Sequence, residues 1–244
     1  MAGRLSYGAG MEPSAESRTV PPTAADERDG WWLAMRLGVG TAFHAAFRVR
    51  FSGLDSIPAR GGALLAYNHV SVLDPIPVSL GAARRGRPVR FLALSELFES
   101  GAVGWGLRVT RQIPLRRGLG DWSAIEAVAG VLRAGALAGM SPEGTVGEGA
   151  ELLPLQRGAA RIALAAGTPV VPVGLWGTQA RWPKAGLHWR SPMRPTVGVA
   201  FVAPIPAEGN ARSRADSLAL TERIEEGLGR AVERARRLAG TVAT

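Results

Sequence analysis

The 244-residue chain contains no cysteine, which excludes disulfides, thiolate zinc sites and a cysteine nucleophile. Its three histidines, His44, His69 and His188, leave little material for a histidine-rich metal site. No stretch approaches the roughly 18–20 uninterrupted apolar residues that a spanning helix needs. A G-x-S-x-G nucleophile elbow is missing, which argues against an acyl-enzyme hydrolase. There is no internal repeat and no recognised nucleic-acid-binding motif. Residues 1–29 are rich in Gly, Ser, Pro, Ala and Glu. They lack the apolar centre of a secretory signal and read as a disordered tail. The expectation is a soluble or peripheral protein.

What the chain does have is positive charge. It carries a formal +9, largely from arginine, and such a surface attracts phosphates, anionic headgroups or nucleic acid. A high-GC coding bias would also raise Arg, Ala and Gly, so charge alone identifies no partner. Residues 30–50 combine Trp31, Trp32, Leu33, Leu37, Phe43 and Phe47 with Arg36, His44 and Arg48. This predicts an amphipathic helix with two readings. One is contact with a membrane interface, where indole rings suit the boundary; the other is packing on the domain's own core.

From there strand and helix patterns alternate. Strands are expected at 49–51, 63–67, 88–94, 109–115, 136–140, 169–175 and 196–202. Helices are expected after Pro75, across 96–108, at 122–134 and at 157–166, the last closed by Gly167. Leu218, Thr221, Ile224, Leu228, Val232 and Ala235 line one face of a long C-terminal helix. The alternation predicts an α/β fold, a sheet with helices on its faces. The chain divides into a tail at 1–29, a helical region at 30–50, an α/β domain at 51–206 and a C-terminal helix at 207–244.

Asn68-His69-Val70-Ser71-Val72-Leu73-Asp74 follows the apolar run 63–67 and precedes Pro75, giving strand, short loop and helix start. His69 then sits at a strand end and Asp74 at a helix entrance, within reach of one another. A carboxylate that fixes the tautomer of an imidazole makes it a general base near neutral pH. Asp74 also suits a plain helix N-cap.

Three further strand ends carry chemistry: Ile113-Pro114-Leu115-Arg116-Arg117-Gly118, Ser141-Pro142-Glu143-Gly144-Thr145-Val146, and Val170-Val171-Pro172-Val173. In this order the four blocks resemble the glycerophospholipid acyltransferase family of the PlsC type. That family carries H-x-x-x-x-D, an arginine after an apolar strand, F-P-E-G-T-R and an apolar strand with proline. The resemblance covers about 31–206. It implies a mixed, largely parallel sheet flanked by helices, with the N-terminal helix at a membrane interface.

The resemblance also implies an activity: transfer of a fatty acyl chain from acyl-CoA or acyl carrier protein to the hydroxyl of 1-acylglycerol 3-phosphate. His69 is then the base and Asp74 its orienter. Asn68, Arg117, Glu143, Gly144 and Thr145 bind substrate, and Pro172 shapes the acyl-donor cleft. Asn68 orients or caps its loop, Arg117 grips phosphate, and Glu143 holds Arg117 or a substrate hydroxyl. No metal or redox cofactor is implied. The partners are an anionic membrane surface on its cytoplasmic face, the lysophosphatidic acid-like acceptor and acyl-CoA, with no nucleic acid. Two positions depart from the pattern: Arg116 replaces the frequent Asp and Val146 the usual Arg. The second departure removes a phosphate contact, for which Arg116, Arg84, Arg85, Arg87 and Arg157 are candidate substitutes. It also admits glycerol 3-phosphate, another lysolipid or a glycolipid as acceptor.

Overall fold

A computed structural model describes residues 30–115, 122–147, 151–188 and 193–240. The expected tail at 1–29 and Arg116, Arg117 and Gly118 of the second block lie outside the described residues. Helix α1 (Gly30–Ala46) leads into strand β1 (Arg48–Ser52), and β2 (Ala63–Tyr67) leads through the histidine loop into α2 (Pro75–Arg84). Then come β3 (Val89–Leu94), α3 (Gly101–Val109), β4 (Ile113–Leu115), α4 (Trp122–Arg133), β5 (Leu137–Met140) and α5 (Gly158–Ala166). Strands β6 (Val170–Trp176) and β7 (Thr196–Phe201) and helix α6 (Arg214–Ala239) complete the order. The fourth strand is shorter than expected, because α3 continues to Val109 and Arg111 adopts a left-handed backbone before the strand can begin.

The seven strands form one sheet in the order β1-β7-β6-β2-β5-β3-β4. Neighbours run parallel except β6 and β7, which are antiparallel. Consequently β2, β3, β4, β5 and β6 all end at the same edge, while β1 and β7 run the other way. The mixed, largely parallel sheet is as the family resemblance implies. Its central strand β2 is buried at every position, as a parallel strand covered on both faces must be.

Side-chain alternation splits the core in two. Leu65, Tyr67, Val171, Val173 and Phe201 join Phe43 and Phe47 near the end of α1 and Val78 and Ala82 of α2 on one face. Leu64, Ala66 and Val170 join residues of α4, α5 and α6 on the other. Phe43 and Phe47 stack with their ring centroids 4.5 Å apart. Earlier turns of α1 instead present Leu33 and Leu37 outward beside Arg36 and His44. The exposed side of α1 is therefore mixed, apolar and basic. The end of the helix packs on the domain's own core, the second of the two readings.

Helix α6 starts at Ser213, whose hydroxyl accepts the Asp216 N–H at 3.1 Å, and stops at Gly240 in the left-handed region. It lies across β6 and β7 at glycines: a Cβ on Gly174 would collide with the backbone of Ala231, and one on Gly198 with that of Ala235. Close approach of a helix to a sheet requires such bare positions. Gly174→Ala should therefore lower stability by about 2–3 kcal/mol, read as a fall in the urea midpoint. An unchanged midpoint would show that α6 does not rest on this glycine.

Candidate active site

The strand edge shared by β2, β5 and β6 holds the site. Asn68, the first residue beyond β2, is buried, and its amide ties β2 to β6. Its nitrogen donates to the Leu175 carbonyl at 3.1 Å and its oxygen accepts the Leu175 N–H at 2.7 Å. The side chain is occupied by this ladder-like pair, so Asn68 fixes where the following residue emerges.

That residue, His69, is held by its backbone on both sides. Its N–H donates to Glu143 Oε1 at 2.7 Å, and its carbonyl accepts the Gly147 N–H at 2.6 Å. The other Glu143 oxygen accepts the Leu153 N–H at 3.0 Å. Glu143 thus braces the histidine loop from the turn after β5. Its expected partner Arg117 lies outside the described residues. Gly144, at φ 71°, closes that turn, and a Cβ there would lie 2.5 Å from Gln156 Nε2. Thr145 is exposed beside it and Val146 half-buried.

The His69 ring, 21% exposed, places Nδ1 at 2.9 Å from Oδ2 of the fully buried Asp74. A carboxylate only accepts, so Nδ1 carries the proton, and in the neutral ring Nε2 keeps its lone pair. The same Oδ2 accepts the N–H groups of Val70 at 2.7 Å and Ser71 at 2.8 Å. The second oxygen, Oδ1, accepts the Thr178 hydroxyl at 2.6 Å. Asp74 stands at the N-terminus of α2 but makes no side-chain cap to it. Its carboxylate turns back into the loop, which overturns the plain-cap reading.

Two ionisable groups face the pair. Burial, and secondarily the Asp74 charge, push the Tyr67 hydroxyl well above its ordinary value. Tyr67's ring meets the His69 ring edge-on at 5.9 Å. Burial also raises the Glu143 carboxyl above its ordinary value, against the pull of the Leu153 and His69 N–H groups. Among the described residues no cluster of His, Asp and Glu is placed to hold a metal ion.

A groove of about 510 Å³ opens against the histidine loop. Val72 of that loop lines one end, and Ile76, Leu80, Phe91, Leu97 and Leu107 continue it between α2, β3 and α3. Trp32 and Arg36 of α1 complete its wall, with the Arg36 guanidinium 5.4 Å from the Trp32 ring. Pro172, expected to shape a donor cleft, is not part of this wall. Alternation along β6 turns it to the opposite face, where a Cβ on Gly227 of α6 would lie 2.6 Å from its Cγ. The sheet separates it from the groove.

Three of the candidate arginine substitutes are also misplaced. Helix α2 starts at the site and carries its C-terminus to the far edge. There Arg84 stacks on Phe51 at 4.5 Å and Arg85 pairs with Asp55 at 3.0 Å. Arg87 donates to the carbonyls of Pro58, Gly61 and Gly135, which precede β2 and β5. Arg157, half-buried at the start of α5, is on the side of the site. Thr178 is the contact that sequence reasoning missed. Its only signal was a hydroxyl just beyond the end of β6, and nothing local says that β6 lies beside β2.

Comparison with known proteins gives a consistent result. The family model described as Acyltransferase matches residues 48–176, just over half of the chain. A 1-acyl-sn-glycerol-3-phosphate acyltransferase of Bacillus subtilis is 29% identical over 184 residues, 73% of this chain and 87% of that protein. A chloroplastic 1-acyl-sn-glycerol-3-phosphate acyltransferase of Brassica napus, BAT2, is 26% identical over 147 residues. That match takes in 59% of this chain and 41% of that protein, so the chain spans less than half of the plant relative. Among solved structures, the 1-acyl-sn-glycerophosphate acyltransferase PlsC of Thermotoga maritima matches with a TM-score of 0.63 and 26% identity. The match covers 83% of this chain and 78% of that one.

The raised Glu143 carboxyl has a stability consequence. In the pH window between its ordinary value and its folded value, the folded state binds a proton that the unfolded state has released. This contribution is present below the window and lost as pH rises through it. Wild type minus Glu143→Gln stability, from urea titrations between about pH 4.5 and 7, should fall as pH rises. A difference that grew with pH would mean the carboxyl is depressed instead.

Proposed function

The chain belongs to the acyltransferase family, of the PlsC type. On that premise we propose that it transfers a fatty acyl chain from an acyl thioester, acyl-CoA or acyl carrier protein, to the free hydroxyl of 1-acylglycerol 3-phosphate, giving phosphatidic acid. The observation that carries this is the His69–Asp74 pair, with Nδ1 held at 2.9 Å from the buried carboxylate, beside an apolar groove. The names of the relatives support the acceptor.

In the reaction, the acceptor hydroxyl oxygen attacks the thioester carbonyl while His69 Nε2 takes its proton. Collapse of the tetrahedral species breaks the C–S bond. The proton on the imidazolium passes to the departing sulfur, so ester and free thiol form and the enzyme returns to its starting state. The buried Asp74 carboxylate stabilises the imidazolium between these steps. The groove receives the acyl chain, with Val72 setting its mouth next to the histidine. Arg117, two positions after β4, is assigned to the acceptor phosphate. Glu143 supports the histidine loop instead of meeting the phosphate, which its charge would repel.

The rim of the groove is suited to an anionic membrane leaflet. Leu33, Leu37, Val72, Leu97, Val103 and Trp105 are all exposed, and Arg36 and Arg111 line the groove beside them. Apolar residues together with cations favour an interface carrying anionic lipid. Among the described residues no helix is long and apolar enough to cross a membrane. The protein would then take its acceptor from the cytoplasmic leaflet as a peripheral or monotopic enzyme. Val146, in place of the family's arginine, favours a second acceptor, glycerol 3-phosphate or another lysolipid, should the first be refused.

The first test is thiol release from palmitoyl-CoA with and without 1-acylglycerol 3-phosphate in detergent micelles. Acceptor-dependent release that is lost in His69→Ala is expected. Release without acceptor would make the protein a thioesterase. Arg117→Ala should mainly raise the acceptor KM; a rise confined to the donor KM would move Arg117 to the donor side. Leu33→Glu with Leu37→Glu should weaken sedimentation with phosphatidylglycerol vesicles about tenfold or more. Undiminished binding would remove α1 from the contact.

A further inference from the structure

Thr178 is buried, and its hydroxyl donates to Asp74 Oδ1 at 2.6 Å from 104 positions further along the chain. The placement is built. Gly177, at φ 106°, turns the chain sharply after β6, and a Cβ there would collide with the Thr196 carbonyl. Gln179 Oε1 accepts the Gly177 N–H at 2.7 Å, and the Thr178 carbonyl accepts the N–H groups of Arg181 at 3.1 Å and Trp182 at 3.2 Å. One turn earlier, Leu175 is tied to Asn68. The end of β6 is thereby fixed beside the histidine loop, and Thr178 meets the one Asp74 oxygen that neither the loop backbone nor His69 engages.

The division of labour on the carboxylate has a chemical consequence. Among the described residues, Oδ2 receives three N–H groups, including His69 Nδ1, and Oδ1 receives the hydroxyl alone. A donor on Oδ1 withdraws charge from the whole carboxylate and fixes its plane. It therefore sets both the direction of the His69 ring and the strength with which imidazolium is stabilised.

We propose that Thr178 is a positioning residue for acyl transfer, acting through Asp74 to set the orientation and basicity of His69. This deepens the acyltransferase reading and rests on it for its catalytic consequence. Its effect on His69 does not depend on any substrate. Tyr67 at the end of β2 and Glu143 after β5 are the other ionisable groups that face the pair.

The test compares Thr178→Val, which keeps the shape and removes the donor, with Thr178→Ser, which keeps the donor. In Thr178→Val the carboxylate loses the hydroxyl donor on Oδ1, so imidazolium is favoured. The His69 titration, followed by NMR and assigned by its absence in His69→Ala, should move to higher pH by on the order of half a unit. Transfer should fall by up to about threefold at pH 6 and less at pH 9, since more of the histidine is protonated at the lower pH. Thr178→Ser should restore both. A merely structural role would lower transfer equally at all pH values and leave the histidine titration in place, which would overturn the proposal.

Should Thr178→Val fail to fold, the wild-type chain carries the test. The Thr178 hydroxyl proton should be visible in slow exchange and should shift as His69 titrates; a hydroxyl proton insensitive to that titration would refute the coupling. Should no acyl transfer be found at all, the NMR arm still decides the Thr178 claim. Failure of the enzyme reading and failure of this inference are therefore distinguishable.

Discussion

A buried carboxylate without donors is too costly to persist, and Asp74 is fully buried. Its four donors among the described residues come from two distant parts of the chain: Val70, Ser71 and His69 just before it, and Thr178 beyond β6. The ends of β2 and β6 must therefore meet with little tolerance. Asn68 bridging to Leu175, Gly177 turning the chain and α6 seated on Gly174 all serve that meeting. Removing any of them would loosen the carboxylate first and the histidine through it.

The sheet gives the site its sidedness. One face, under α1 and α2, carries the groove and opens toward Val72 and the histidine loop. The other packs against α4, α5 and α6. Pro172 belongs to this second face and lies against Gly227 of α6. Helix α2 works at both ends: its N-terminus carries the Asp74–Pro75 junction, while its C-terminus and Arg87 tie up loops at the far edge. The His69–Asp74 pair and the structural arginines are thus separated by the length of one helix.

What the sequence made legible was local. The run 63–67 followed by a polar loop and Pro75 foretold strand, loop and helix, and the five-residue spacing placed His69 and Asp74 within contact. Gly167 closed its helix as expected, at φ 62°. Contacts set by strand order were not legible. Thr178 reaches Asp74 only because β6 is the neighbour of β2, and Glu143 meets the His69 backbone only because β5 is the other neighbour. The same ignorance made Arg84, Arg85 and Arg87 look like phosphate ligands, since a charge count does not reveal which end of a helix faces the site. Pro172 was misjudged for a related reason: its side of the sheet follows from the register against Ala66, which no spacing reveals.

The most direct test of this account is the kinetics of Asp74→Asn, with its fold checked by thermal melting followed by circular dichroism. An amide of the same shape keeps the volume but offers a neutral partner to His69. If Asp74 fixes the tautomer and stabilises the imidazolium, turnover should fall on the order of a thousandfold, with little change in KM for donor or acceptor. A folded Asp74→Asn enzyme with near wild-type turnover would contradict the account, because proton transfer would then not depend on this carboxylate.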